Sequence, residues 1–283
     1  MPSGKRSRER RSVPPPPVRS KSRPGSSARP AARSSARVEP TSRRASPRVL
    51  LAGAAIVLAA VIAIVVALVL GGSKHTPITV PRVGSLAAAL PGAADVHTLF
   101  AGIPQHGTTL GSPKAPVTLV EYVDLQCPYC QQFETQVLPD LVQKYVRPGK
   151  LRVVFRPWVI IGPDSIRGQA AALAAAKQNK AFDFAEVTYD NQGTENTGWL
   201  NQNMVVKVAS SVPGLLVRKL LTDLSSSSVK AEAQQIDSLA VSDKVAGTPT
   251  IFVGKTGTHG KEVILPSVTD PTPVVQAIKA AGG

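Results

Sequence analysis

The stretch that decides the fold runs from Val117 to Cys130 and has the sequence VTLVEYVDLQCPYC. Its first part, Val117–Asp124, is rich in β-branched residues and predicts a buried strand. The following segment, Gln131–Tyr145, places apolar residues at helical spacing before the stop signal Pro148-Gly149. The two cysteines of the chain therefore lie where a strand turns into a helix.

This position favours reactive thiols. Cys127 is expected near the N-terminal end of the helix, where unpaired N–H groups and the helix dipole stabilise a thiolate. Cys130 lies one turn into the helix on nearly the same face, within reach of a mixed disulfide at Cys127. We therefore expect Cys127 to be the nucleophile and Cys130 the resolving thiol.

Two other uses of the cysteine pair are less well supported. A zinc site needs about four ligands, but the sequence has no second cysteine pair and none of its four histidines has a suitable spacing. A purely structural disulfide between Cys127 and Cys130 would close a very small loop and constrain little. Redox chemistry is the preferred interpretation, and we expect no metal.

The remaining pattern predicts an α/β domain. The segment Leu151–Phe155 is predicted to form a second strand. Together with the first strand and the helix it would make a βαβ unit, whose two strands are normally parallel. Residues 164–241 are dominated by helical patterns and form a helical insert. Two short strands, Thr250–Val253 and Glu262–Leu265, and a last helix, Pro273–Ala281, complete the order βαβ, insert, ββα.

The N-terminal region differs in composition from the rest of the 283-residue chain. Residues 1–48 carry a formal charge of +12 out of +15, nine prolines and no aromatic residue, which predicts a disordered tail. Residues 49–70 contain no charge and are long enough, at 22 residues, to cross a hydrocarbon core of about 30 Å as one helix. Arginines before this segment place the tail in the cytoplasm and residues 71–283 outside.

Two alternatives for the apolar segment fit less well. A cleaved signal peptide would have a shorter apolar region and a small-residue cleavage site. Ser42-Arg43-Arg44 is similar to the start of a twin-arginine signal, but Pro47 follows where apolar residues are usual. We therefore expect an uncleaved anchor, a linker or stalk over 71–95 and a folded domain over 96–283.

Three segments together resemble the DsbA-like thiol–disulfide oxidoreductases of the thioredoxin superfamily, in their membrane-anchored bacterial form. They are Leu110–Val117, with the sequence LGSPKAPV, Glu121–Cys130, and Gly247-Thr248-Pro249-Thr250 before a predicted strand. The resemblance covers about residues 100–283. It implies a thioredoxin fold with a helical insertion.

The resemblance also implies roles for residues outside the cysteine pair. It implies that Pro249 is a cis proline beside the cysteines and that the backbone of Thr248 binds an extended substrate segment. Pro128 and Tyr129 would contact the same substrate. It implies that Glu121 is a buried acid exchanging protons with Cys130, whereas the residue pattern alone also allows a glutamate at a sheet edge that reaches water.

These expectations define an enzyme that exchanges disulfides with exported cysteine-containing proteins, needs no cofactor and is reoxidised by a membrane partner. Tyr129 stands where strongly oxidising members of the family have histidine, so we expect an oxidant of intermediate strength. One alternative is a reductase or isomerase of exported thiols. Another is a membrane-tethered binding module that uses the basic tail to recruit an anionic partner, although the tail has no aromatic residues for nucleic-acid stacking.

Overall fold

The computed structural model describes residues 79–87 and 89–283, and everything below concerns these residues. The predicted tail, 1–48, and the predicted transmembrane segment, 49–70, lie outside them. Within the described part, no helix combines the length and the apolar character that a membrane crossing requires.

Six strands form one mixed sheet in the order β1-β2-β4-β3-β5-β6. They are β1 (Gln105–His106), β2 (Thr109–Leu110), β3 (Val117–Val123), β4 (Leu151–Pro157), β5 (Thr250–Lys255) and β6 (Lys261–Val263). Strand β3 pairs in parallel with β4 and antiparallel with β5, and the other neighbours are antiparallel. The parallel β3–β4 pair confirms the predicted βαβ unit, whereas the two-residue strands β1 and β2 are too short to give a sequence signal.

Nine α-helices surround this sheet in the described part of the chain. They are α1 (Ala93–Phe100), α2 (Pro128–Gln136), α3 (Leu138–Leu141), α4 (Pro163–Ala176), α5 (Ala181–Asp190), α6 (Gln202–Ser211), α7 (Val217–Asp223), α8 (Ser227–Ser242) and α9 (Thr272–Ala281). Helices α4 to α8 are the helical insertion predicted over about 164–241. The buried alanines of α4 let it pack closely against both α5 and α8.

The predicted helix Gln131–Tyr145 is divided in the structure. Helix α2 ends at Gln136, α3 follows, and Val142–Val146 forms a π-helical turn. Pro139 explains the division, because it has no N–H to donate to Thr135 and its ring crowds that carbonyl. The single-helix prediction was therefore wrong in its continuity, although its buried face was correct.

The linker predicted over 71–95 is wrong for the part that the structure describes. Val83 forms a β-bridge with Leu216, and the Gly84 N–H donates to the Leu215 carbonyl at 2.8 Å. A Cβ atom at Gly84 would lie 2.2 Å from the Val212 carbonyl oxygen, so only glycine allows this approach. Proline and glycine predicted turns here, but composition does not distinguish a free turn from one packed on the insertion.

Candidate active site

The two cysteines lie at the start of α2, directly after the central strand. Cys127 is the N-cap residue, with extended backbone angles, and Pro128 occupies the first helical turn. The Cys130 N–H donates to Cys127 Sγ at 3.4 Å. Both cysteines are free thiols; Cys127 is 4% exposed and Cys130 is fully buried.

The two thiols have opposite acidities. The pKa of Cys127 is lowered to about 6, chiefly by a hydrogen bond from the Cys130 thiol and also by donors from Thr248 and the backbone of Cys130 and Tyr129. Burial raises the pKa of Cys130 well above its ordinary value, and the neighbouring Cys127 sulfur raises it further. At neutral pH the site therefore holds one thiolate, at Cys127, next to one buried thiol.

The Thr248–Pro249 segment faces this thiolate. Its peptide bond is cis, as the resemblance implied. The Thr248 carbonyl oxygen lies 3.4 Å from Cys127 Sγ, although 121 residues separate the two in the chain. The Thr248 hydroxyl is buried, makes no hydrogen bond among the described residues, and lowers the pKa of the Cys127 thiol.

A shallow groove of about 350 Å³ borders this segment. Its walls include Tyr129, Thr248 and Pro249 together with the apolar residues Ile264 and Leu265. The side chains of Tyr129 and Ile264 are 60% and 71% exposed. Pro128 is exposed beside Tyr129, so all four predicted substrate-contact residues lie near the Cys127 sulfur or along the groove.

The helical insertion holds the loop that precedes Cys127. The Asp124 carboxylate accepts hydrogen bonds from the N–H groups of Gln126, Ile160 and Ile161 at 2.8, 2.9 and 3.1 Å. From the insertion, the Gln192 amide donates to the Cys127 carbonyl at 3.2 Å. Since polar side chains fix both sides of the loop, the position of the nucleophile depends on the whole domain.

Glu121 lies in the middle of β3 and is completely buried. It pairs with Phe155 on one side and Ile251 on the other, so the alternative of a sheet-edge glutamate is wrong. Neither of its carboxyl oxygens has a hydrogen-bond partner among the described residues. Burial raises the pKa of Glu121 well above its ordinary value, and repulsion from Glu186 raises it further, so its protonated form is favoured.

The structure adds two buried carboxyl groups that were not predicted, Glu134 on α2 and Glu186 on α5. Glu134 had a local signal, because it follows Cys130 by four residues and so lies on the same helix face. Glu186 had none, because α5 reaches α2 only through tertiary packing. In the described residues, no group of three or more His, Cys, Asp or Glu side chains is arranged to hold a metal ion.

A second unforeseen feature is a polar network around Asp243, directly after α8. Its carboxylate accepts hydrogen bonds from the Tyr122 hydroxyl at 2.6 Å and Arg156 at 3.0 Å, and contacts His259 at 2.8 Å. Arg156 also donates to the Tyr122 hydroxyl. Tyr122 on β3 and Arg156 on β4 are thereby connected to Asp243 and His259. These two residues flank the segment that contains Thr248 and β5.

The fold and this cysteine site define a thiol–disulfide oxidoreductase. A family model described as thioredoxin matches residues 105–263, more than half of the chain. The chain belongs to the thioredoxin family and, within it, to the DsbA-like oxidoreductases. A probable disulfide bond formation protein D from Bacillus cereus is 32% identical over 148 residues, which cover 51% of this chain and 68% of that protein.

Two solved structures share the architecture. Oxidised BdbD from Bacillus subtilis aligns with a TM-score of 0.55 at 21% identity, covering 63% of this chain and 96% of that one, and shows the common fold. A thioredoxin-like oxidoreductase from Silicibacter pomeroyi aligns with a TM-score of 0.50 at 28% identity, covering 65% and 96% of the two chains.

Proposed function

We propose that this oxidoreductase acts as an oxidant that introduces disulfides into exported proteins through Cys127 and Cys130. The observation that carries the proposal is the unequal acidity of the two thiols, with a pKa of about 6 at Cys127. A stabilised thiolate stabilises the reduced form of the enzyme relative to its disulfide, which makes the enzyme a stronger oxidant of substrate thiols.

The proposed reaction begins with the oxidised enzyme. A substrate thiolate attacks Cys127 Sγ, the Cys127–Cys130 bond breaks, and Cys130 leaves with the electron pair and takes up a proton. A second substrate thiolate then attacks the substrate sulfur of the mixed disulfide and releases Cys127 as a thiolate. The substrate has lost two electrons, and the enzyme holds the dithiol.

The other predicted site residues serve this reaction. Thr248 and Pro249 present backbone to an extended peptide beside the sulfur, while Pro128 and Tyr129 contact the peptide from the other side. The exposed apolar wall at Ile264 suits a substrate segment that is still unfolded, because such segments expose apolar side chains. Glu121 supplies the proton that Cys130 takes up.

The proposal includes a location and a partner. The charge distribution of residues 1–70 supports a single-pass protein of a bacterial cell membrane, with a cytoplasmic N-terminus and the catalytic domain outside. The dithiol formed in each cycle has to be reoxidised, and a membrane oxidoreductase is the expected partner.

A redox titration tests the direction of exchange. The full-length protein, equilibrated with glutathione buffers and trapped by alkylation, should give a reduction potential closer to about −120 mV than to about −270 mV, the values of a strong oxidant and of thioredoxin. A potential near the thioredoxin value would refute the oxidant role and favour the reductase alternative.

Trapping tests the roles of the two thiols. Cys130→Ser should accumulate mixed disulfides with substrates on non-reducing gels, because nothing resolves them. The matched variant Cys127→Ser should not, because the remaining thiol is buried and has a raised pKa. The opposite pattern would reverse the assignment of nucleophile and resolving thiol.

A further inference from the structure

Three buried carboxyl groups, one each from β3, α2 and α5, have no cationic partner. Glu121, Glu134 and Glu186 are 0%, 1% and 4% exposed. None of them takes part in any ion pair among the described residues. Both carboxyl oxygens of Glu121 and one of Glu134 also have no hydrogen-bond partner there. Buried charges are normally paired, so these groups hold protons instead.

The positions of the three groups form a connected series. Glu134 lies one turn after Cys130 on the same face of α2, which places their Cβ atoms about 5–6 Å apart. Glu134 and Glu186 lie close enough for each side chain to shift the pKa of the other. The Gln131 amide donates to the Tyr189 carbonyl at 2.8 Å and fastens α2 to α5 at this level.

The series ends at a cavity that is separate from the substrate groove. This cavity has a volume of about 380 Å³, and its lining includes Glu186, Asp95 and Asp190 together with Thr135 and Gln143. None of the groove residues lines it. Glu186 therefore borders a second opening, on a part of the surface that the groove residues do not line.

We propose that Glu134 and Glu186 relay protons between the cavity and the buried thiol of Cys130, so that Cys130 exchanges its proton while substrate covers Cys127. This inference rests on the proposed function, because a relay is useful only if Cys130 changes protonation in each cycle. The groove side cannot serve as the entrance during that step, since the mixed disulfide occupies it.

The proton transfers balance over one cycle. When Cys130 leaves the broken disulfide as a thiolate, it takes a proton from the protonated carboxyls, and one proton enters from the cavity through Glu186 and Glu134. When the enzyme is reoxidised, Cys130 gives its proton back to the carboxyls and attacks the mixed disulfide, and one proton leaves by the same route. No oxidant is needed beyond the disulfides already exchanged.

The groups facing the relay support proton storage. Burial raises the pKa of Glu134 and of Glu186 above the ordinary value, and each carboxyl raises it further in a neighbour. The titratable groups around the pair are Glu121 from β3, Cys130 from α2, Tyr189 and Asp190 from α5, and Asp95 from α1. None of these groups is a cation, and only Glu186 acts in the opposite direction, because it lowers the pKa of Glu134.

Single-turnover kinetics on the full-length protein test the relay. Reduced protein is mixed with oxidised glutathione, quenched with acid and analysed by mass spectrometry. Attack by Cys127 forms a glutathione mixed disulfide, and attack by Cys130 then removes it. Glu134→Gln and Glu186→Gln keep the shape of the side chain but cannot carry the proton, so they should slow the second step about tenfold or more at pH 7.

The first step is the internal control, because Cys127 is already a thiolate and needs no relay. Glu134→Gln and Glu186→Gln should not change the rate of this first step, either alone or in the Cys130→Ser background. Glu232→Gln, at a half-buried glutamate on α8, should alter neither step. An unchanged second step across the pH range, or equal slowing of both steps, would overturn the relay. Failure of the wild-type protein to form the mixed disulfide would instead refute the proposed function.

If a glutamine variant does not fold, the wild-type protein still allows a test. Infrared difference spectra between the oxidised and reduced forms should contain a band from a protonated carboxyl group that moves in D₂O. This exchange should persist when a stable mixed disulfide blocks Cys127. Spectra without a carboxyl band, or exchange that stops under the block, would contradict a separate entrance.

Discussion

Replacing Thr248 by valine should raise the pKa of Cys127. The Thr248 hydroxyl is buried, makes no hydrogen bond to another group in the described part of the chain, and lowers the pKa of both thiols. Valine has a similar shape and no donor. Thr248→Val therefore removes one hydroxyl donor available to the thiolate and leaves the Cys130 donors in place.

The size of the expected pKa shift depends on the donors that remain at Cys127. A hydrogen bond to a charged group contributes roughly 1.5–3 kcal/mol, and one pKa unit corresponds to about 1.4 kcal/mol, so the loss is roughly one to two units. We expect the lower end, because the Cys130 thiol makes the largest contribution and remains. The pKa of Cys127 should move from about 6 to about 7.

The same change lowers the oxidising power. At pH 7 the reduced form loses about 1 kcal/mol of thiolate stabilisation, which lowers a two-electron potential by about 20 mV. The direction of this change in potential follows from the depressed pKa of Cys127. Thiolate stabilisation of the reduced form is complete above the ordinary pKa of a thiol, and it is lost as the pH falls through the pKa that Cys127 has in the folded protein.

Thiolate absorbance followed against pH measures the shift directly. The reduced full-length protein, Thr248→Val and the control Thr222→Val, an exposed threonine on α7, are titrated in parallel. The control should titrate like the wild-type protein. A pKa in Thr248→Val equal to or below the wild-type value would show that the hydroxyl does not stabilise the thiolate.

Three further predictions concern other parts of the protein. Asp243→Asn replaces a carboxylate that accepts from Tyr122 and Arg156, so the free energy of unfolding in urea should fall by about 2 kcal/mol at pH 7. The neighbours hold the pKa of Asp243 below its ordinary value, so this difference should shrink as pH falls through that pKa, and a pH-independent difference would contradict the ionic origin. Tyr129→His should raise the reduction potential and further lower the pKa of Cys127, because an imidazolium favours the thiolate; an unchanged or higher pKa would refute this. In intact cells treated with a permeant reductant, an impermeant maleimide should label the cysteine pair, and labelling only after lysis would reverse the predicted topology.

The sequence by itself determined the parts of the site that depend on neighbouring residues. The strand at Val117, the helix after it and the Cys127–Cys130 spacing are local patterns, and the buried face of a strand or helix follows from periodicity. The proline at 249 was recognisable because the short pattern before β5 is specific when it accompanies a cysteine pair. These signals were sufficient to predict the fold class and the residues at the active site, which are Cys127, Cys130, Thr248 and Pro249.

Tertiary structure alone decided which polar groups meet beneath and beside those sulfurs. Glu121, Glu134 and Glu186 come from one strand and two helices, and only the packing of α2 against α5 over the sheet encloses them together without a cation. Val83 likewise forms a β-bridge with Leu216, which belongs to the helical insertion. The physical reason is that periodicity indicates only whether a position is buried. The pKa of a buried group, and the path by which it exchanges protons, depend on the side chains packed against it. Those neighbours can come from any distance along the chain.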